Sequence, residues 1–248
     1  MSLFGLFGSR SGDISVRDFV DASTGVSSSM NSAAAGNVEE LKTLHGVGAR
    51  FNNQDNDGWT PLFYAVSEHQ IEAVRYLISV NVDINMRAKD GWSALMVALD
   101  HNQIEIARLL LSAGAKTGNF GSIGRLDVCE LVIACRNVEL VEMLLEHGAD
   151  ANLPHPQNGA PPAFFWGICN GDPAGLKALY RHGADFNLRD RIAGQVPLMV
   201  CVGNSEIVRT LLECGADPRI ADRDGESSLD YAVKPGADPK SITYLRNS

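Results

Sequence analysis

The segment DNDGWTPLFYAVSEHQIEAVRYLISVNVDIN, residues Asp55–Asn85, is followed closely by AKDGWSALMVALDHNQIEIARLLLSAGAK, residues Ala88–Lys116. The second segment repeats the pattern of the first at an interval of 33 positions, so that Asp57-Gly58-Trp59 becomes Asp90-Gly91-Trp92. A fixed period of this size is typical of stacked supersecondary units rather than of one globular core. The chain is therefore predicted to be a row of similar modules.

Each module is predicted to contain two antiparallel helices. Thr60-Pro61 and Ser93-Ala94 mark the start of the first helix, because a hydroxyl suits the N-cap and proline suits the first helical position. The first helices then carry one apolar stripe at helical spacing, formed by Leu62, Ala65 and Val66 and by Leu95, Ala98 and Leu99. A polar break follows, and the second helix carries its own stripe, formed by Ile71, Val74 and Ile78 and by Ile104, Ala107 and Leu111. Gly114 is expected to end the later copy in the left-handed conformation.

The same logic extends over most of the 248 residues. Residues 1–32 are rich in Ser and Gly and are expected to be a non-repeat cap or tail, with a short amphipathic stretch at 13–20. The repeat domain is predicted to cover 33–248, as units at 33–53, 55–86, 88–118, 119–152, 153–188 and 189–220, with 221–246 as a C-terminal cap. The fourth and fifth units have lost the most sequence pattern, so they are predicted to be the weak interfaces of the stack.

Composition limits the class of protein. The chain is 45% apolar and 21% charged, and no window approaches ~18 uninterrupted apolar residues, so we expect no membrane span. A formal charge of −9, with dispersed Lys and Arg, argues against nucleic acid and acidic membranes and mildly favours a partner with a basic patch. Five scattered cysteines without metal-like spacing indicate reduced thiols. The start of the chain does not resemble a secretory signal, so we expect a cytoplasmic protein, with export lacking a Sec-type signal as the alternative.

These residues resemble the ankyrin-repeat family. The resemblance is carried by Asp-Asn-Asp-Gly-Trp-Thr-Pro-Leu at 55–62, by Val196-Pro197-Leu198, and by closing Gly-Ala or Gly-Ala-Asp motifs at 114, 148, 183 and 215. The family's histidine after Thr-Pro-Leu is replaced by Phe63, Met96 or Met199. The resemblance implies an all-α ankyrin-repeat solenoid of about six to seven helix-turn-helix repeats, with hairpin or loop fingers. It also implies that hairpin tips and first helices line a concave, protein-binding face.

Catalysis is not expected. The sequence has no phosphate-binding GxxxxGK[ST], no GxSxG and no HExxH. Glu72, Glu105, Glu139 and Glu206 recur at one position near the start of second helices, where the helix dipole favours a carboxylate. They are interpreted as scaffold, as are His147 and His182 before the closing glycines. No catalytic residue, metal site or cofactor is predicted.

Function is expected where the surface departs from the scaffold. Trp59 and Trp92 occupy equivalent finger positions, and indole rings supply much of the binding energy at interfaces. The alternative for each ring is structural packing against a neighbouring finger. The predicted partner-binding surface consists of Trp59, Trp92, Asn56, Asp57, Lys89, Asp90, Ser67, Glu68, Asp100 and His101. A secondary surface is predicted at Phe164, Phe165, Trp166 and Tyr180, because three adjacent aromatic residues on one helix cannot all point inward; core packing is the alternative.

The leading hypothesis is a non-enzymatic, monomeric interaction module that holds a protein partner. A second hypothesis is an inhibitor or immunity-type neutraliser of a toxic enzyme, since the acidic chain shows no other domain that would deliver an output. A third is a secreted microbial effector, for which residues 1–32 would be the export signal. An enzyme is the least favoured class.

Overall fold

A computed structural model describes residues 18–118, 120–123, 126–166 and 171–248 of the chain. The regular secondary structure of the described part consists almost entirely of short helices arranged in pairs, as the sequence predicts. The α-helices, in chain order, are α1 (Ser28–Ala34), α2 (Val38–Gly46), α3 (Pro61–Ser67), α4 (Ile71–Ser79), α5 (Ala94–Asp100), α6 (Ile104–Ser112), α7 (Glu130–Ile133), α8 (Val138–Glu146), α9 (Pro173–Arg181), α10 (Pro197–Val200), α11 (Ser205–Glu213), α12 (Ser228–Ala232) and α13 (Pro239–Arg246). Two 3-10 turns, Ala134–Arg136 and Pro162–Phe165, complete the helical set.

The helices form two parallel rows. In the first row α1, α3, α5 and α7 contact one another in turn, the turn Pro162–Phe165 contacts both α7 and α10, and α10 contacts α12. In the second row α2, α4, α6, α8, α9, α11 and α13 follow in the same order. Each unit therefore contributes one element to each row and touches mainly its neighbours. The all-α repeat solenoid predicted from the sequence is confirmed.

The apolar stripes face the space between the two rows. Leu62, Ala65 and Val66 in α3 are buried, as are Leu95, Ala98 and Leu99 in α5. Val74 and Ala107 are also completely buried in the second row, whereas Ile71 and Ile78 are half-buried. Burying such stripes against neighbouring units is the main source of stability in a stack of short helices.

Local polar groups define where the second helices begin and end. Asn37, Asn137, Asp172, Asn204 and Asp238 each accept a hydrogen bond from a backbone N–H of the first helical turn. The second helices of several units are followed by glycines with positive φ. Gly114 has a φ of 92°, which confirms the left-handed closure predicted for it.

The first unit begins before the predicted boundary at residue 33. Val20 and Ser27 form an antiparallel bridge, like Arg87 with Ser93 and Ala221 with Ser227 in later units. Ser27 then caps α1 through a bond from the N–H of Met30. Residues 18–32 therefore hold the finger and most of the first helix of unit one, so the expectation of a non-repeat segment over 1–32 is wrong for this part. Residues 1–17 and most of the expected amphipathic stretch lie outside the described residues.

Units four and seven differ from the simplest prediction. In unit four, strands β1 (Phe120–Ile123) and β2 (Leu126–Cys129) pair antiparallel, with Phe120 opposite Cys129 and Ile123 opposite Leu126. This finger is a true hairpin, whereas fingers one, three and seven each have a single bridge. In unit seven the polar C-terminal remainder forms the helix α13, because Asp238 caps it and Pro239 takes its first position.

Candidate interaction surface

The first three fingers are joined to one another at their tips. The N–H of Asn56 donates to the carbonyl of Thr24 at 3.0 Å, and the N–H of Lys89 donates to that of Asp57 at 2.9 Å. Glycine makes this approach feasible: a Cβ on Gly58 would lie 2.9 Å from the Lys89 nitrogen, and the residue has a φ of 86°. The finger tips therefore form one continuous ridge held by main-chain bonds.

Asp55 shapes the second finger from within. Its Oδ1 accepts hydrogen bonds from the N–H groups of Asp57 and Trp59, at 2.9 and 2.8 Å. Its Oδ2 accepts the hydroxyl hydrogen of Tyr64 in α3 at 2.7 Å. Burial and then this hydrogen bond to a carboxylate raise the pKa of Tyr64 well above its usual range. The finger is thus tied to the helix that follows it.

Both finger tryptophans are half-buried. The ring of Trp59 lies 5.7 Å from that of Phe63 and 5.5 Å from that of Tyr64, both on α3. Trp92 is packed against the same core, and its backbone N–H donates to Asp90 at 3.0 Å. Trp59 therefore packs on the helix of its own unit, and each indole keeps part of its surface accessible.

The other predicted residues lie mostly in solvent. Asn56, Asp57, Lys89 and Asp90 are exposed at the tips, and Glu68, Asp100 and His101 are exposed at the ends of α3 and α5. Ser67 is half-buried, and its hydroxyl donates to the Tyr64 carbonyl at 3.1 Å. The side chain of Asn56 donates to the carbonyl of Ser23 at 2.8 Å, so it joins two fingers as well as facing solvent.

The expected surface exposure of Phe164, Phe165 and Trp166 is wrong. The three side chains are 8%, 6% and 0% exposed. The 3-10 turn Pro162–Phe165 is packed between α7 and α10, the ring of Phe165 lies 5.5 Å from that of His155, and Trp166 lies against Gly175 of α9, so neighbours cover the segment on several sides. The indole N–H of Trp166 donates to the carbonyl of Asp172 at 2.9 Å, which satisfies the polar group of the buried ring. Tyr180 belongs elsewhere: it is 51% exposed and lies in α9 of the second row.

The second row carries a ladder of ion pairs between units. Arg75 in α4 contacts Glu105 in α6 at 2.7 Å, and Arg108 in α6 contacts Glu139 in α8 at 3.1 Å. These bonds support the interpretation of the recurring glutamates as scaffold. All of the groups are largely exposed, so each pair is expected to contribute only about 0–1 kcal/mol.

The ladder breaks between units four and five. Glu142 occupies the position of Arg75 and Arg108, and Ala174 occupies that of Glu105 and Glu139. Arg181 pairs with Glu142 at 2.5 Å, and Lys177 pairs with Glu213 at 3.0 Å. A groove of about 560 Å³ opens at this break, lined in part by Val138, Ala174, Tyr180 and Cys214. The sequence could have indicated this groove through the two residues that depart from the repeat pattern, Glu142 and Ala174.

Positive charge is less dispersed than the sequence suggested. Arg189 and Arg191 lie on the sixth finger, Arg223 lies on the seventh, and side-chain bonds connect the two fingers. The spacing of about one repeat between these residues hides the cluster in the linear sequence.

Reactive centres are not apparent in the part of the chain that is described. Cys129, Cys135, Cys201 and Cys214 are buried and form no disulfide among the described residues, and Cys169 lies outside that part. No group of three His, Cys, Asp or Glu side chains among the described residues is placed to hold a metal ion. Within the same residues, the helices are all too short or too polar to cross a bilayer.

Paired helices in two rows, with fingers stacked along one side, define a repeat solenoid of the kind that serves as a protein-interaction module. The family model for ankyrin repeats, in three copies, matches residues 29–120 and 163–247, which together are more than half of the chain. The chain belongs to the ankyrin-repeat family, as its motifs predicted. Families of this kind are generally non-enzymatic interaction modules.

Known relatives share short parts of their length with this chain. Ankyrin repeat protein nuc-2 of Neurospora crassa is 30% identical over 125 residues, which are 49% of this chain and 12% of that protein. Human ankyrin repeat and SOCS box protein 6 is 34% identical over 95 residues, 37% of this chain and 22% of that protein. The ADP-ribosylation factor GTPase-activating protein AGD2 of Arabidopsis thaliana is 43% identical over 70 residues, 27% of this chain and 9% of that protein. The chain thus spans less than a quarter of the length of each.

Solved structures support the fold over nearly the whole chain. The ankyrin repeat domain of human ASB11 superposes with a TM-score of 0.69 and 21% identity, covering 90% of this chain and 97% of that domain. The ankyrin repeat domain of Bcl-3, described as a member of the IkappaB family, gives a TM-score of 0.71 and 24% identity, covering 90% and 99%. At these identities the likeness concerns the fold alone.

Proposed function

We propose that this chain is a non-enzymatic binding module that holds a protein partner against its finger tips and the ends of its first helices. The observation that carries the proposal is the ridge of fingers one to three, whose tips are joined by the main-chain bonds from Asn56 and Lys89. Such a ridge is ordered before binding, so a partner would lose little affinity to ordering of the surface. It also presents exposed side chains to solvent, among them those of Asp57 and Lys89.

The chemistry of this end favours a partner with a basic patch. Four of the exposed groups are carboxylates, on Asp57, Glu68, Asp90 and Asp100, while Lys89 provides one positive charge among them. The partly accessible indoles of Trp59 and Trp92 would supply apolar contact area beside this acidic rim. We propose that the module acts as a monomer in the cytoplasm. The relatives give no support to the neutraliser or effector alternatives.

The proposal is tested by site-specific photocrosslinking in lysate from cells that make the protein. A photoreactive residue replaces Asp57 or Lys89 on the ridge, or Glu72 on the second row as the matched exposed control. We expect one partner to be crosslinked from positions 57 and 89 and not from 72. Equal adducts from all three positions would refute binding by the ridge.

Two variants then separate the contributions that the aromatic and the charged side chains of the ridge make to binding. The double variant Trp59→Ala/Trp92→Ala removes the indoles, and Asp57→Lys/Asp90→Lys reverses two exposed charges that do not pack in the core. Each is expected to weaken capture of the crosslinked partner by roughly tenfold or more. Circular dichroism and melting curves control for folding, which matters most for Trp59 because its ring packs on Phe63. Unchanged capture by both variants, each folded, would remove this surface from consideration.

A further inference from the structure

Fingers six and seven carry three arginines, Arg189, Arg191 and Arg223, that lie close to finger glycines. A Cβ on Gly159 of finger five would lie 2.8 Å from Cγ of Arg191. A Cβ on Gly194 of finger six would lie 3.1 Å from Cγ of Arg223 and 3.8 Å from Nη1 of Arg189. The side chains of Arg191 and Arg223 therefore rest on the backbone of the preceding finger, and this contact reduces the rotamer freedom that they would lose on binding.

Two of the guanidinium groups are also held by carbonyl groups. Arg189 donates through Nη1 to the carbonyl of Ala221, and Arg223 donates through Nη2 to that of Arg191, both at 2.6 Å. A guanidinium has five N–H donors, so each keeps most of its hydrogen-bonding capacity for another acceptor. The three side chains are exposed, and the spare donors are accessible to a ligand.

These arginines differ from those on the second row, where Arg75, Arg108 and Arg181 each contact a glutamate. None of the ion pairs formed among the described residues includes Arg189, Arg191 or Arg223. Three unpaired positive charges thus lie on adjacent fingers of a chain whose formal charge is −9.

The neighbouring carboxylates on these fingers accept hydrogen bonds from backbone N–H groups. Asp190 accepts from the N–H groups of Ile192, Ala193 and Gln195, at 2.6 to 2.8 Å. Asp222 accepts from the N–H groups of Asp224 and Glu226 and from a tyrosine hydroxyl. Both are buried, and Asp224 is the exposed carboxylate beside Arg223. Nearby carboxylates therefore neutralise the positive charge of these finger tips only in part.

A large aliphatic side chain directly follows Arg191 in the sequence and is also exposed. Ile192, between Arg191 and Ala193 on the sixth finger, is 68% exposed. Equivalent tips of the second and third fingers carry aspartates, Asp57 and Asp90. A large exposed aliphatic group beside oriented guanidinium groups has the composition of an interface centre with a charged rim.

We propose that fingers five to seven bind an acidic peptide segment that also carries a large apolar residue. Arg189, Arg191 and Arg223 take its carboxylates, and its apolar side chain packs on Ile192. A short segment suits this surface better than nucleic acid, because a long polyanion would also meet the net negative charge of the rest of the chain. This inference rests on the proposed function and adds a second, oppositely charged contact region to the acidic ridge of fingers one to three.

The test is an NMR titration of the isotope-labelled full chain at low salt, which measures weak as well as tight binding. The probe is a dodecapeptide of four Glu-Glu-Leu units. The comparison probes are the same peptide with Ser in place of Leu, inorganic phosphate, and a short oligothymidylate. We expect the Glu-Glu-Leu peptide to shift the amides of fingers five to seven and the Arg Nε–H signals, with weaker binding at higher salt. The Ser peptide should bind more weakly.

Variants assign the interaction to the proposed groups. Arg189→Gln/Arg191→Gln/Arg223→Gln should weaken peptide binding by roughly tenfold or more. The matched control, Arg75→Gln/Arg108→Gln/Arg181→Gln, changes the formal charge equally on the second row and should leave binding nearly unchanged. Ile192→Ser should reduce the preference for Leu over Ser in the peptide. The Trp59→Ala/Trp92→Ala variant should bind this probe like the parent, which separates this inference from the proposed function.

Three results would overturn the acidic-segment inference. One is the absence of shifts in fingers five to seven at millimolar peptide. Another is equal loss of affinity in both arginine triple variants, which would indicate a general charge effect. The third is tighter binding of phosphate or oligothymidylate than of the peptide at the same amides. Crosslinking from position 57 would still support the proposed function in each case.

Discussion

The phenolic hydroxyl of Tyr64 donates to the carboxylate of Asp55 across nine residues of sequence, at 2.7 Å. The same relationship recurs in the last unit, where Tyr231 donates to Asp222 at 2.7 Å. In both units the aspartate also accepts backbone N–H groups of the finger. A tyrosine one turn into the first helix thus fixes the geometry of the surface that we propose for binding.

The first prediction concerns this bond. Tyr64→Phe removes the hydroxyl and leaves one oxygen of Asp55 without its partner, so we expect a loss of about 1 kcal/mol in the free energy of unfolding. Urea denaturation followed by circular dichroism measures it. Tyr180→Phe is the control, because that ring is 51% exposed, and its change should stay within about 0.5 kcal/mol. Equal effects of the two substitutions would contradict a role for the bond.

The second prediction concerns pH. The hydroxyl of Tyr231 and then the N–H of Glu226 lower the pKa of Asp222 below its ordinary value. A carboxyl whose pKa is lowered by folding stabilises the fold at pH values above its unfolded pKa, about 3.9, and this contribution is lost as pH falls through the folded pKa. Tyr231→Phe should therefore raise the pKa of Asp222 towards the unfolded value and flatten the loss of stability in acid. Carbon-13 titration of the carboxyl group provides the measurement. An unchanged pKa of Asp222 would contradict the role assigned to the Tyr231 hydroxyl.

The outcome for the aromatic residues shows what the sequence could and could not provide. Leu62, Ala65 and Gly114 follow from periodicity and glycine chemistry, because their roles repeat every 33 residues. The burial of Phe164, Phe165 and Trp166 does not, since it depends on how α7, α9 and α10 pack around a segment that has lost the repeat pattern. The cluster of arginines on fingers six and seven also could not be recognised in the sequence, because stacking brings together residues about one repeat apart. Side-chain placement between units is information that only the packed structure holds.

The third prediction is that a glycine-to-alanine substitution within a helix lowers the stability of the protein, although alanine has the higher helix propensity. Gly175 lies within α9, where alanine would ordinarily stabilise by about 0.5–1 kcal/mol. Its added Cβ would lie 2.7 Å from Cζ2 of the buried Trp166 ring. We therefore expect Gly175→Ala to destabilise the protein by about 1–3 kcal/mol, as overpacking does.

The matched control for that prediction is Gly46→Ala. Gly46 ends α2, and nothing lies within 4 Å of its added Cβ, so this substitution should be neutral or stabilising. Thermal and urea unfolding of both variants give the comparison. Stabilisation by Gly175→Ala would show that the Trp166 ring moves away easily and that this part of unit five is loosely packed.

The fourth prediction concerns local opening at units four and five. Asn85 accepts from the N–H of Lys116 and donates to the carbonyl of Gly114, and Asn152 makes the equivalent bonds to Asp185 and Gly183. The equivalent position between units three and four is Gly118, which has no side chain to make such bonds. The ion-pair ladder is also broken between Glu142 and Ala174. Opening should therefore need less free energy here.

Hydrogen exchange read by mass spectrometry checks the fourth prediction. We expect lower protection in peptides covering α7 and the 3-10 turn Pro162–Phe165 than in those covering α3 to α6. The terminal units serve as the comparison, since they have a neighbour on one side only. Uniform protection from unit two through unit six would contradict the idea that the worn sequences form weak interfaces.

The fifth prediction restores the ladder. Glu142→Arg together with Ala174→Glu would recreate across units four and five the pairing that Arg75 makes with Glu105. The new carboxylate would also lie in the first turn of α9, where the helix dipole favours it. Glu142→Arg alone should destabilise, because it removes the partner of Arg181 and places two positive charges together.

A double-mutant cycle isolates the restored contact from those separate effects. We expect a favourable coupling of about 0.2–1 kcal/mol between positions 142 and 174, measured by urea unfolding of the parent, both single variants and the double variant. The coupling should shrink at high salt, since both groups lie at an exposed surface. The longer side chain at 174 should also occupy the groove beside Tyr180, which tyrosine fluorescence quenching can follow. Strictly additive free energies would mean that positions 142 and 174 do not approach each other across the interface, and the ladder would then be a property of the first four units alone.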